Sequence, residues 1–371
     1  MFGSRGKAPA GREDNRENIM SDITVMVTGV GGGGHGEQIL KALKMAPTCY
    51  KIIGADMSPV SKGLADVDWA VQLPPANDEN YIEELLKYCR QYEVRALFHG
   101  SEPELRVMAQ NRERIEGNGI FLPINPSDVI SFCMDKFKTM EFLKSHGFKV
   151  PRYKKISNQE ELDLVDFFPA VLKPSVGAGG SADVTIAQDE DELKVLGAML
   201  LRNCGEFIVQ EYIGTPESEY TVGVLLSMEG ELINSIAVKR SILSALSNRI
   251  KVPNRTARAE LGPLLAISSG VSQGEIGRFE AVTKPCEKIA LALGATGAIN
   301  IQCRIHKGEL YVFEINPRFS GTTSLRAMVG YNEPDILIRK HILGEVVNPG
   351  FDYSHGVIAR GLTETFFETK S

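Results

Sequence analysis

The feature that most constrains the fold is a glycine-rich turn at residues 28–36, TGVGGGGHG, which joins an apolar strand pattern to a helical one. Gly29, Gly31 and Gly34 match G-x-G-x-x-G, and Asp56 ends the next apolar run about twenty residues later. In dinucleotide-binding domains such a turn brings backbone N–H groups to a pyrophosphate at a helix N-terminus. The alternative is a Rossmann-like domain whose glycines only allow a tight turn. The pattern alone supports both interpretations equally.

Short apolar runs alternate with helical patterns from Ile23 to about Pro123. This alternation predicts an α/β domain whose parallel sheet is covered on both faces. The predicted strands are 23–28, 51–55, 95–100 and 119–123, and the predicted helices are 36–45, 80–91 and 103–113.

The pattern changes after Pro151, where strands begin to occur in hairpins. Such strand-strand-helix units predict an α+β region rather than a continued parallel sheet. The predicted strands are 167–174, 184–187 and 206–213, with hairpins 219–227/231–240 and 297–305/309–317. The predicted helices are 134–148, 189–203 and 275–293, with a further helix that begins at Asn125-Pro126-Ser127.

The composition excludes several classes of protein. The net charge of −6 indicates no nucleic-acid partner, and no apolar run approaches the ~18 residues of a membrane span. The six cysteines are scattered without a C-x-x-C pair, which favours reduced thiols and a cytoplasmic location. Residues 1–22 lack the apolar segment of a secretion signal, so we interpret them as a disordered tail or tag.

A second glycine-rich segment, SVGAGGSA at 175–182, follows Lys173 between two predicted strands. Its backbone N–H groups can wrap phosphate oxygens, and the hairpin can close as a mobile lid. A flexible hairpin tip explains the segment equally well. Lys173 and Lys136 can neutralise phosphate charge, although an exposed helical lysine is the simpler interpretation of Lys136.

The most informative segment is the hairpin that carries Gln302, Glu314 and Asn316. Alternation along the two strands predicts that these side chains share one polar face, with Gln302 opposite Glu314. Three such oxygen donors suit Mg²⁺, and the guanidinium of Arg318 beside them suits phosphoryl oxygens. A solvated sheet face is the alternative, and the metal site is the favoured interpretation.

Together these motifs resemble ATP-grasp enzymes from about Thr24 to Phe366. The likeness is to the carbamoyl-phosphate-synthase large-subunit-like branch, which includes the pyrrolysine-pathway lysine ligase. The matching segments are MDKFKTMEFLKSHGFKVP, PAVLKPSVGAGGSADV, FIVQEYI with SEYTVGV, and GAINIQCRI with GELYVFEINPRFSGTTSLRAMVGYNEPDI. The resemblance implies a Rossmann-like pre-ATP-grasp domain that does not bind NAD, followed by an ATP-grasp fold of two α+β subdomains. The implied divisions are 1–22 (tail or tag), 23–123 (pre-ATP-grasp domain), 124–213 (with a small lid subdomain), 214–366 (with the metal site) and 367–371 (tail).

The resemblance also assigns roles to individual residues. For ATP it implies Lys136, Lys173, Ser175, Gly177, Gly179, Gly180, Ser181, Glu211, Tyr212 and Ile213, with the ribose held by Glu219 in preference to Glu217. For metal it implies Gln302, Glu314 and Asn316 around Mg²⁺, with Mn²⁺ as an alternative ion. For catalysis it implies Lys173, Lys239 and Arg318, and for substrate Gly31, Gly32, Glu102, Arg240, Arg258 and Arg318. Many relatives carry an acid where Gln302 stands, which leaves open whether one or two Mg²⁺ ions bind.

The implied function is an ADP-forming carboxylate–amine ligase that makes a C–N bond through an acyl phosphate. The basic segment 249–258 suggests an acidic carboxylate substrate, such as an amino acid. One alternative is a carbamate- or carboxyphosphate-type synthetase of the same fold. Another is an NAD(P)-dependent oxidoreductase that uses the N-terminal glycines, and a third is a non-catalytic ATP-binding protein. Relatives are often dimers, so a homodimer is expected.

Overall fold

The computed structural model of the chain describes residues 23–176, 183–244, 246–363 and 365. Both predicted tails and the lid residues Gly177, Gly179, Gly180 and Ser181 lie outside the described residues. Within the described part, no helix is both long and apolar enough to cross a membrane.

The N-terminal region forms a parallel four-stranded sheet. Its strands are β1 (Ile23–Thr28), β2 (Tyr50–Asp56), β3 (Trp69–Gln72) and β4 (Ala96–Phe98), in the order β3-β2-β1-β4. Its helices are α1 (His35–Lys44), α2 (Tyr81–Gln91), α3 (Glu102–Gln110) and α4 (Arg112–Glu116). Val25 and Val27 pack into one apolar cluster and Met26 into another, so both faces of the sheet are covered. The α/β prediction for this region is confirmed.

The glycines of the first turn permit close packing between β1, α1 and β4. A Cβ on Gly36 would lie 2.3 Å from the carbonyl oxygen of Gly29, and one on Gly100 would lie 1.9 Å from the carbonyl oxygen of Thr28. Gly29 itself has a φ of +56°, in the left-handed region that favours glycine. Close backbone contacts at Gly36 and Gly100, together with the positive φ of Gly29, therefore account for glycine at these three positions.

The remaining chain is built on antiparallel sheets. After α5 (Ser127–Cys133) and α6 (Lys136–Ser145), the small sheet comprises β5 (Tyr153–Ile156), β6 (Ala170–Pro174), β7 (Thr185–Ala187) and β8 (Phe207–Glu211), with α7 (Glu190–Cys204). There follow β9 (Glu219–Leu226), β10 (Leu232–Arg240), β11 (Asn248–Pro253), β12 (Leu264–Ser268), β13 (Gly274–Gly277), α8 (Glu280–Ala292), β14 (Ala298–His306), β15 (Glu309–Asn316), α9 (Thr323–Met328), α10 (Glu333–His341) and β16 (Gly356–Ile358). Short 3-10 helices lie at Lys62–Asp66, Glu160–Leu164, Pro216–Ser218 and Ala259–Leu261.

The strand orders confirm the α+β prediction for this region. The small sheet runs β5-β8-β6-β7, and a six-stranded sheet runs β15-β14-β9-β10-β13-β16. Both predicted hairpins, β9–β10 and β14–β15, are present and antiparallel. The two sheets and the paired strands β11 and β12 surround the space in which the candidate site lies.

Four local predictions were wrong. The predicted helix 275–293 is strand β13 followed by α8, because Gly274 approaches β10 so closely that a Cβ there would lie 2.1 Å from the Lys239 carbonyl oxygen. The predicted helix 103–113 divides at Asn111 into α3 and α4. The predicted strand 119–123 makes a single bridge, between Phe121 and Ala96. No strand is predicted over the basic segment 249–258, whereas β11 covers its first half and pairs with β12.

Helix α1 connects the N-terminal sheet to the end of the chain. Leu40 and Leu43 belong to the same apolar cluster as Leu325 of α9 and Leu337 of α10. Hydrogen bonds reinforce this contact, since the Tyr50 hydroxyl donates to Asp335 Oδ1 at 2.6 Å and Asn332 Nδ2 donates to the Ala42 carbonyl at 2.7 Å. The N-terminal domain therefore shares its core with residues from the far end of the sequence.

Candidate functional site

A cavity with mainly apolar walls lies between the small sheet and the six-stranded sheet; we call it the apolar cavity. Its volume, including the part open to solvent, is about 630 Å³. Its apolar lining residues are Pro151, Val171, Val184, Tyr212, Ile213, Ala266, Ile267, Tyr311 and Phe313. Its polar lining residues are Lys173, Gln210, Glu211, Glu219, Ser268, Gln302, Arg304 and Glu314. A ligand with a flat apolar ring and a polar extension would fit such a cavity.

Lys173 is a buried cation in the wall of this cavity. Its side chain is 4% exposed, and its Nζ donates to the Phe313 carbonyl at 2.9 Å. Burial lowers the pKa of Lys173 to about 8, the Glu314 carboxylate opposes this shift, and the Lys136 charge adds to it. Lys136 begins α6, where its backbone N–H donates to the Ser175 carbonyl at 2.9 Å. Ser175, at the start of the glycine-rich segment, is thus hydrogen-bonded to Lys136, and both residues are predicted to contact the phosphates of ATP.

Glu219 lies in the apolar cavity as the anion of a buried network. Its Oε1 accepts from Arg240 Nη1 at 3.1 Å, and its Oε2 accepts from Arg304 at 2.8 and 3.0 Å. Burial opposes ionisation, but the charges of Arg304 and Arg240 hold the pKa of Glu219 below its usual range. The alternative acid, Glu217, is exposed and lines a different cavity. The structure therefore brings Glu219, and not Glu217, to the apolar cavity.

The segment predicted to meet adenine lies at the edge of the same cavity, with part of its backbone already paired. The Tyr212 N–H donates to the Pro169 carbonyl at 2.9 Å, and the Ile213 carbonyl accepts from Arg304 at 3.1 Å. The Glu211 side chain is paired with Arg152 and Arg258. Tyr212 N–H and Ile213 C=O are consequently occupied by protein partners.

A second cavity adjoins the first, and we call it the polar cavity. Its volume, including the part open to solvent, is about 690 Å³, and all of its described lining residues are glycine or polar. They are Gly33, Gly34, His35, Thr221, Arg240, Ser268, Ser269, Gly270, Ser272, Asn300, Gln302, Glu314, Asn316, Arg318, Ser320 and Gly321. Ser268, Gln302 and Glu314 line both cavities, and we call the paired side chains of Gln302 and Glu314 the shared wall.

The predicted metal ligands converge at this shared wall. Gln302 is the register partner of Glu314 across β14 and β15, as the alternation predicted. Asn316 Nδ2 donates to Glu314 Oε1 at 3.2 Å, which brings the third side chain beside them. One carboxylate and two amide oxygens suit Mg²⁺ when phosphates and water complete the shell. The described residues contain no cluster of three or more His, Cys, Asp or Glu side chains suited to a metal, so any ion here needs ligand oxygens as well.

Arg318 connects the shared wall to the N-terminal domain. Its Nη2 donates to Asn316 Oδ1 at 3.1 Å and to Glu102 Oε1 at 2.8 Å. Burial opposes ionisation of Glu102, but the charge and hydrogen bond of Arg318 hold the Glu102 pKa below its usual range. Glu102 and Arg318, predicted as substrate residues from segments far apart in the sequence, are thus brought together.

The N-terminal turn meets the polar cavity two residues later than predicted. Gly31 and Gly32 lie outside the lining, whereas Gly33, Gly34 and His35 belong to it. Gly31 instead donates its N–H to Asp56 Oδ2 at 2.9 Å, and the other oxygen of Asp56 accepts from a backbone N–H at 3.0 Å. The acid that a dinucleotide-binding domain offers to ribose is therefore used to hold the turn itself.

Two buried histidines, His35 and His99, lie next to this turn. His35 Nε2 lies 3.1 Å from His99 Nδ1, and burial together with the Arg318 charge lowers the pKa of both rings, that of His99 to about 3. Both imidazoles are therefore neutral near pH 7 and do not add positive charge to the cavity.

Lys239 and Arg258, predicted for catalysis and for substrate, line neither of the two cavities. Lys239 is adjacent to Arg240 on β10, and because strand side chains alternate, it points to the opposite face. It lines the same separate cavity as Glu217. Arg258 pairs with Glu211 and Glu260 outside the polar cavity. It therefore does not support the prediction that the basic segment binds an acidic substrate.

Residues that sequence reasoning missed also line the site. Asn300 and Arg304 share the polar face with Gln302, and alternation along β14 is the signal that points to them. Gln210 gives no such signal, because it interrupts an apolar run. Around the two cavities, Gln210 Nε2, Ser175 Oγ, Arg240 Nε and Arg318 Nε are buried and have no hydrogen-bond partner in the described part of the chain.

Family models match two parts of the chain. Residues 133–322, just over half of the chain, match the ATP-grasp domain, and residues 26–122 match the PylC-like N-terminal domain. Both matches agree with the resemblance drawn from the motifs.

Curated relatives include carbamoyl phosphate synthase large chains. The protein from Thermoplasma volcanium is 27% identical over 218 residues, which cover 57% of this chain and 19% of the relative. That from Clostridium beijerinckii is 30% identical over 202 residues, which cover 53% of this chain and 17% of the relative. The chain thus spans about a fifth of the length of these relatives.

Solved structures share the fold at low sequence identity. An L-amino acid ligase from Bacillus licheniformis has a TM-score of 0.60 and 18% identity, over 88% of this chain and 78% of that one. An N5-carboxyaminoimidazole synthetase from Staphylococcus aureus complexed with ADP has a TM-score of 0.59 and 16% identity, over 90% and 80%. A biotin carboxylase domain from Hydrogenobacter thermophilus, in complex with MgADP, ADP and bicarbonate, has a TM-score of 0.58 and 16% identity, over 88% and 71%.

Proposed function

Because this chain belongs to the ATP-grasp family and carries a PylC-like N-terminal domain, we propose that it is an ADP-forming ligase that joins a small carboxylate to an amine through an acyl phosphate. The observation that carries the proposal is the shared wall of Gln302 and Glu314. A nucleotide in the apolar cavity would direct its phosphates toward this wall. A carboxylate in the polar cavity would approach the same wall from the other side.

In this proposal the apolar cavity binds ATP. Val171 and Phe313 would contact the adenine ring, while the Glu211 carbonyl and the Ile213 N–H would meet its polar edge, since the neighbouring groups are occupied. Glu219 would accept from a ribose hydroxyl while its arginines keep it ionised. Phosphate contacts are assigned to Lys136, Lys173 and Ser175, and to Gly177, Gly179, Gly180 and Ser181 outside the described residues.

The donor set at the shared wall fits Mg²⁺, which Gln302, Glu314 and Asn316 would hold. A bound ion would neutralise charge on the phosphate oxygens. The single carboxylate keeps the negative charge of the protein ligands low, so ATP itself must supply part of the coordination. Binding of metal and nucleotide is therefore expected to be mutually dependent.

The first chemical step is an in-line attack of a substrate carboxylate oxygen on the γ-phosphorus of ATP. A P–O bond forms to the carboxylate, the bond to the β–γ bridging oxygen breaks, and ADP leaves. This step requires positioning and neutralisation of charge more than a protein nucleophile. The buried cation of Lys173 and the guanidinium of Arg318 flank the shared wall and are suited to stabilising the transferring phosphoryl group.

In the second step the amine nitrogen attacks the acyl carbon, the bond to phosphate breaks, and the nitrogen loses a proton as the amide forms. An acyl phosphate hydrolyses readily, so water must be kept out between the steps. The glycine-rich segment that follows Ser175 is assigned to this task. The neutral ring of His35 lines the cavity in which the amine would arrive.

The walls of the polar cavity favour a small hydrophilic carboxylate, such as an amino acid with a polar side chain. All described lining residues are glycine or polar, so an apolar side chain would find little hydrocarbon surface to pack against. Gly321 lies so close to Gly270 that a Cβ would be 2.8 Å from the Gly270 carbonyl oxygen, which limits the width of the cavity. The prediction of a small hydrophilic substrate therefore rests on these walls and not on the basic segment 249–258.

Two alternatives make different predictions. A carboxyphosphate-type synthetase of the same fold would use bicarbonate as the phosphoryl acceptor. The similarity to carbamoyl phosphate synthase large chains supports this alternative. An NAD(P)-dependent oxidoreductase would need Asp56 free for ribose, whereas both of its carboxylate oxygens accept backbone hydrogen bonds. The second alternative is accordingly not favoured.

The test is release of ADP from ATP and Mg²⁺ by the full chain, with pooled amino acids as carboxylate and amine donors. Wild type is compared with Glu314→Ala and with Glu309→Ala. Glu309 lies on the same strand but is exposed and paired with Lys149, so it serves as the matched control.

We expect ADP release that depends on the pool, persists in Glu309→Ala and falls at least a hundredfold in Glu314→Ala. Division of the pool would then identify the carboxylate and the amine. ADP release that depends on bicarbonate and not on the pool would favour the carboxyphosphate alternative. Binding of ATP without turnover under any of these conditions would favour a non-catalytic ATP-binding protein, and failure to bind ATP would refute the proposal.

A further inference from the structure

His35 and His99 meet at the edge of the N-terminal sheet that faces the polar cavity. His35 is the first residue of α1 and lines the cavity, while His99 follows the end of β4. Both imidazoles therefore lie at the carboxyl ends of parallel strands, where ligands bind in open α/β sheets. The rings are buried, at 8% and 1% exposure, yet His35 remains in contact with the cavity.

The contact between the two rings leaves one nitrogen of His35 for a ligand. His35 Nε2 lies 3.1 Å from His99 Nδ1, so one of these two atoms donates to the other. Within the described part of the chain, His35 Nδ1 has no hydrogen-bond partner. When Nε2 carries the proton and donates it to His99, the basic lone pair of His35 is on Nδ1.

The other titratable side chains of the polar cavity cannot take a proton from a substrate. Among the described lining residues these are Arg240, Glu314 and Arg318. A guanidinium is an acceptor of no hydrogen bond and stays protonated, and Glu314 is assigned above to the metal. His35 is therefore the described lining side chain that combines neutrality with a basic atom.

The charges around the pair keep His35 unprotonated before the reaction. Burial, the Arg318 guanidinium and His99 all lower the pKa of His35. Behind it, Arg318 also lowers the pKa of His99, and the Glu102 carboxylate opposes that shift. Such a base accepts a proton only from a group that becomes acidic during the reaction. The nitrogen of an attacking amine is such a group, because it gains positive charge as the C–N bond forms.

We propose that His35 is the general base of the second step, with Nδ1 accepting the proton that the amine nitrogen loses and Nε2–H donating to His99 Nδ1. His99 is then a positioning residue that selects this tautomer. The inference rests on the proposed function, and it assigns a protein group to a proton that the transfer of phosphate does not involve.

The electrons and the proton of this step have defined destinations. The lone pair of the uncharged amine forms the C–N bond, the C–O bond to phosphate breaks, and inorganic phosphate leaves with that electron pair. His35 takes one proton from the nitrogen, and its imidazolium releases it to water after the products have left. The departing phosphate is an anion beside the same cavity, so it offsets the charge that the ring gains.

The test compares two acceptors of the acyl group, using the full chain with ATP, Mg²⁺ and the pooled amino acids. An amine of the pool must lose a proton to form an amide. Added hydroxylamine is uncharged and strongly nucleophilic at neutral pH, so it forms a hydroxamate with little help from a base. Wild type is compared with His35→Gln, whose amide nitrogen can still donate to His99 but which has no basic atom. His355→Gln is the matched control, because His355 is exposed.

We expect His35→Gln to lower amide formation about a hundredfold and to retain most of the hydroxamate formation, whereas His355→Gln should lower neither. Unchanged amide formation in His35→Gln would overturn the inference. Equal losses of the two products, seen also in His35→Asn, would overturn it as well, since His35 would then serve the first step or the fold.

Two variants of His99 test the positioning role. Leucine offers no acceptor to His35 Nε2–H, so His99→Leu should lower amide formation about tenfold and spare hydroxamate formation. Asparagine presents Oδ1 where histidine has Nδ1, so His99→Asn should recover part of this loss. Equal amide formation in His99→Leu and His99→Asn would refute the role assigned to His99.

Failure of this inference can be told apart from failure of the proposed function. If wild type forms both products and His35→Gln forms them equally well, the ligase proposal stands and the assignment of His35 falls. If wild type forms the hydroxamate but no amide, the acyl phosphate is supported and the assignment of His35 falls with the amine step. If wild type forms neither product, both proposals are refuted.

Discussion

Replacement of Glu219 by glutamine should destabilise the protein far more than the same change at Glu217. Glu219 is the anion that balances Arg240 and Arg304, which are 4% and 6% exposed. Glutamine keeps the size of the side chain and removes its charge, so Arg304 loses its carboxylate partner and Arg240 keeps only the more distant charge of Glu314. Loss of one member of a buried ion pair costs about 3–5 kcal/mol in free energy of unfolding.

Urea denaturation followed by circular dichroism at neutral pH measures this loss. Glu217→Gln is the control, because Glu217 is exposed two residues away in the sequence, and surface changes of this kind stay within about 0.5 kcal/mol. The same pair of variants tests the ribose assignment. Glu219→Gln should weaken ATP binding, whereas Glu217→Gln should leave it unchanged.

The pH dependence follows from the sign of the shift. The pKa of Glu219 in the folded protein lies below its usual value, so the carboxylate stabilises the fold fully above the unfolded pKa of about 4.3. That contribution is lost as pH falls through the folded pKa. The difference in stability between wild type and Glu219→Gln should therefore shrink as pH falls below the unfolded pKa and through the lower folded pKa. A difference below about 1 kcal/mol at pH 7, or one that does not change with pH, would refute the reasoning.

Three further changes test other parts of the structure. Gly36→Ala should reduce the free energy of unfolding by about 1–3 kcal/mol, because its Cβ would lie 2.3 Å from a backbone oxygen. Gly34→Ala is the control and should change the melting temperature little, because the nearest atom to its Cβ would be 3.5 Å away. Equal effects of the two substitutions would contradict the packing argument. Since the pKa of Lys173 is lowered to about 8, kcat/KM for ATP should decline above that pH as the cation is lost. Lys173→Arg should abolish this decline, because arginine stays charged. A decline that persists in Lys173→Arg would exclude Lys173 as the titrating group. Arg318→Ala should lower kcat about a hundredfold with little change in ATP affinity, and a matching loss of ATP binding would contradict its assignment to the transferring phosphoryl group.

Local periodicity allowed much of the fold to be predicted from the sequence. Gln302 could be placed opposite Glu314 because a short turn fixes the register of a hairpin and alternation fixes the faces. The helix predicted at 275–293 failed because the pairing of GEIG with β10 outweighed a local helical pattern. Helix boundaries elsewhere differed by only a few residues.

Pairings across long sequence distances could not be predicted in this way. Glu219 and Arg304 are separated by 85 positions, and Glu102 and Arg318 by 216, so no local pattern connects them. Lys239 shows the complementary failure. The resemblance implies site roles for both Lys239 and Arg240, although neighbours on a strand point to opposite faces.

The shared core around α1 has a consequence for how the protein is made and how its parts can be exchanged. The outer face of α1 is completed by α9 and α10, so a chain emerging from the ribosome exposes Leu40 and Leu43 until nearly three hundred further residues have been synthesised. The N-terminal sheet region is thus translated well before the residues that complete its core, and chaperone engagement is expected in the interval. For the same reason, a graft of residues 26–122 onto a relative should succeed only when 323–341 are transferred with them.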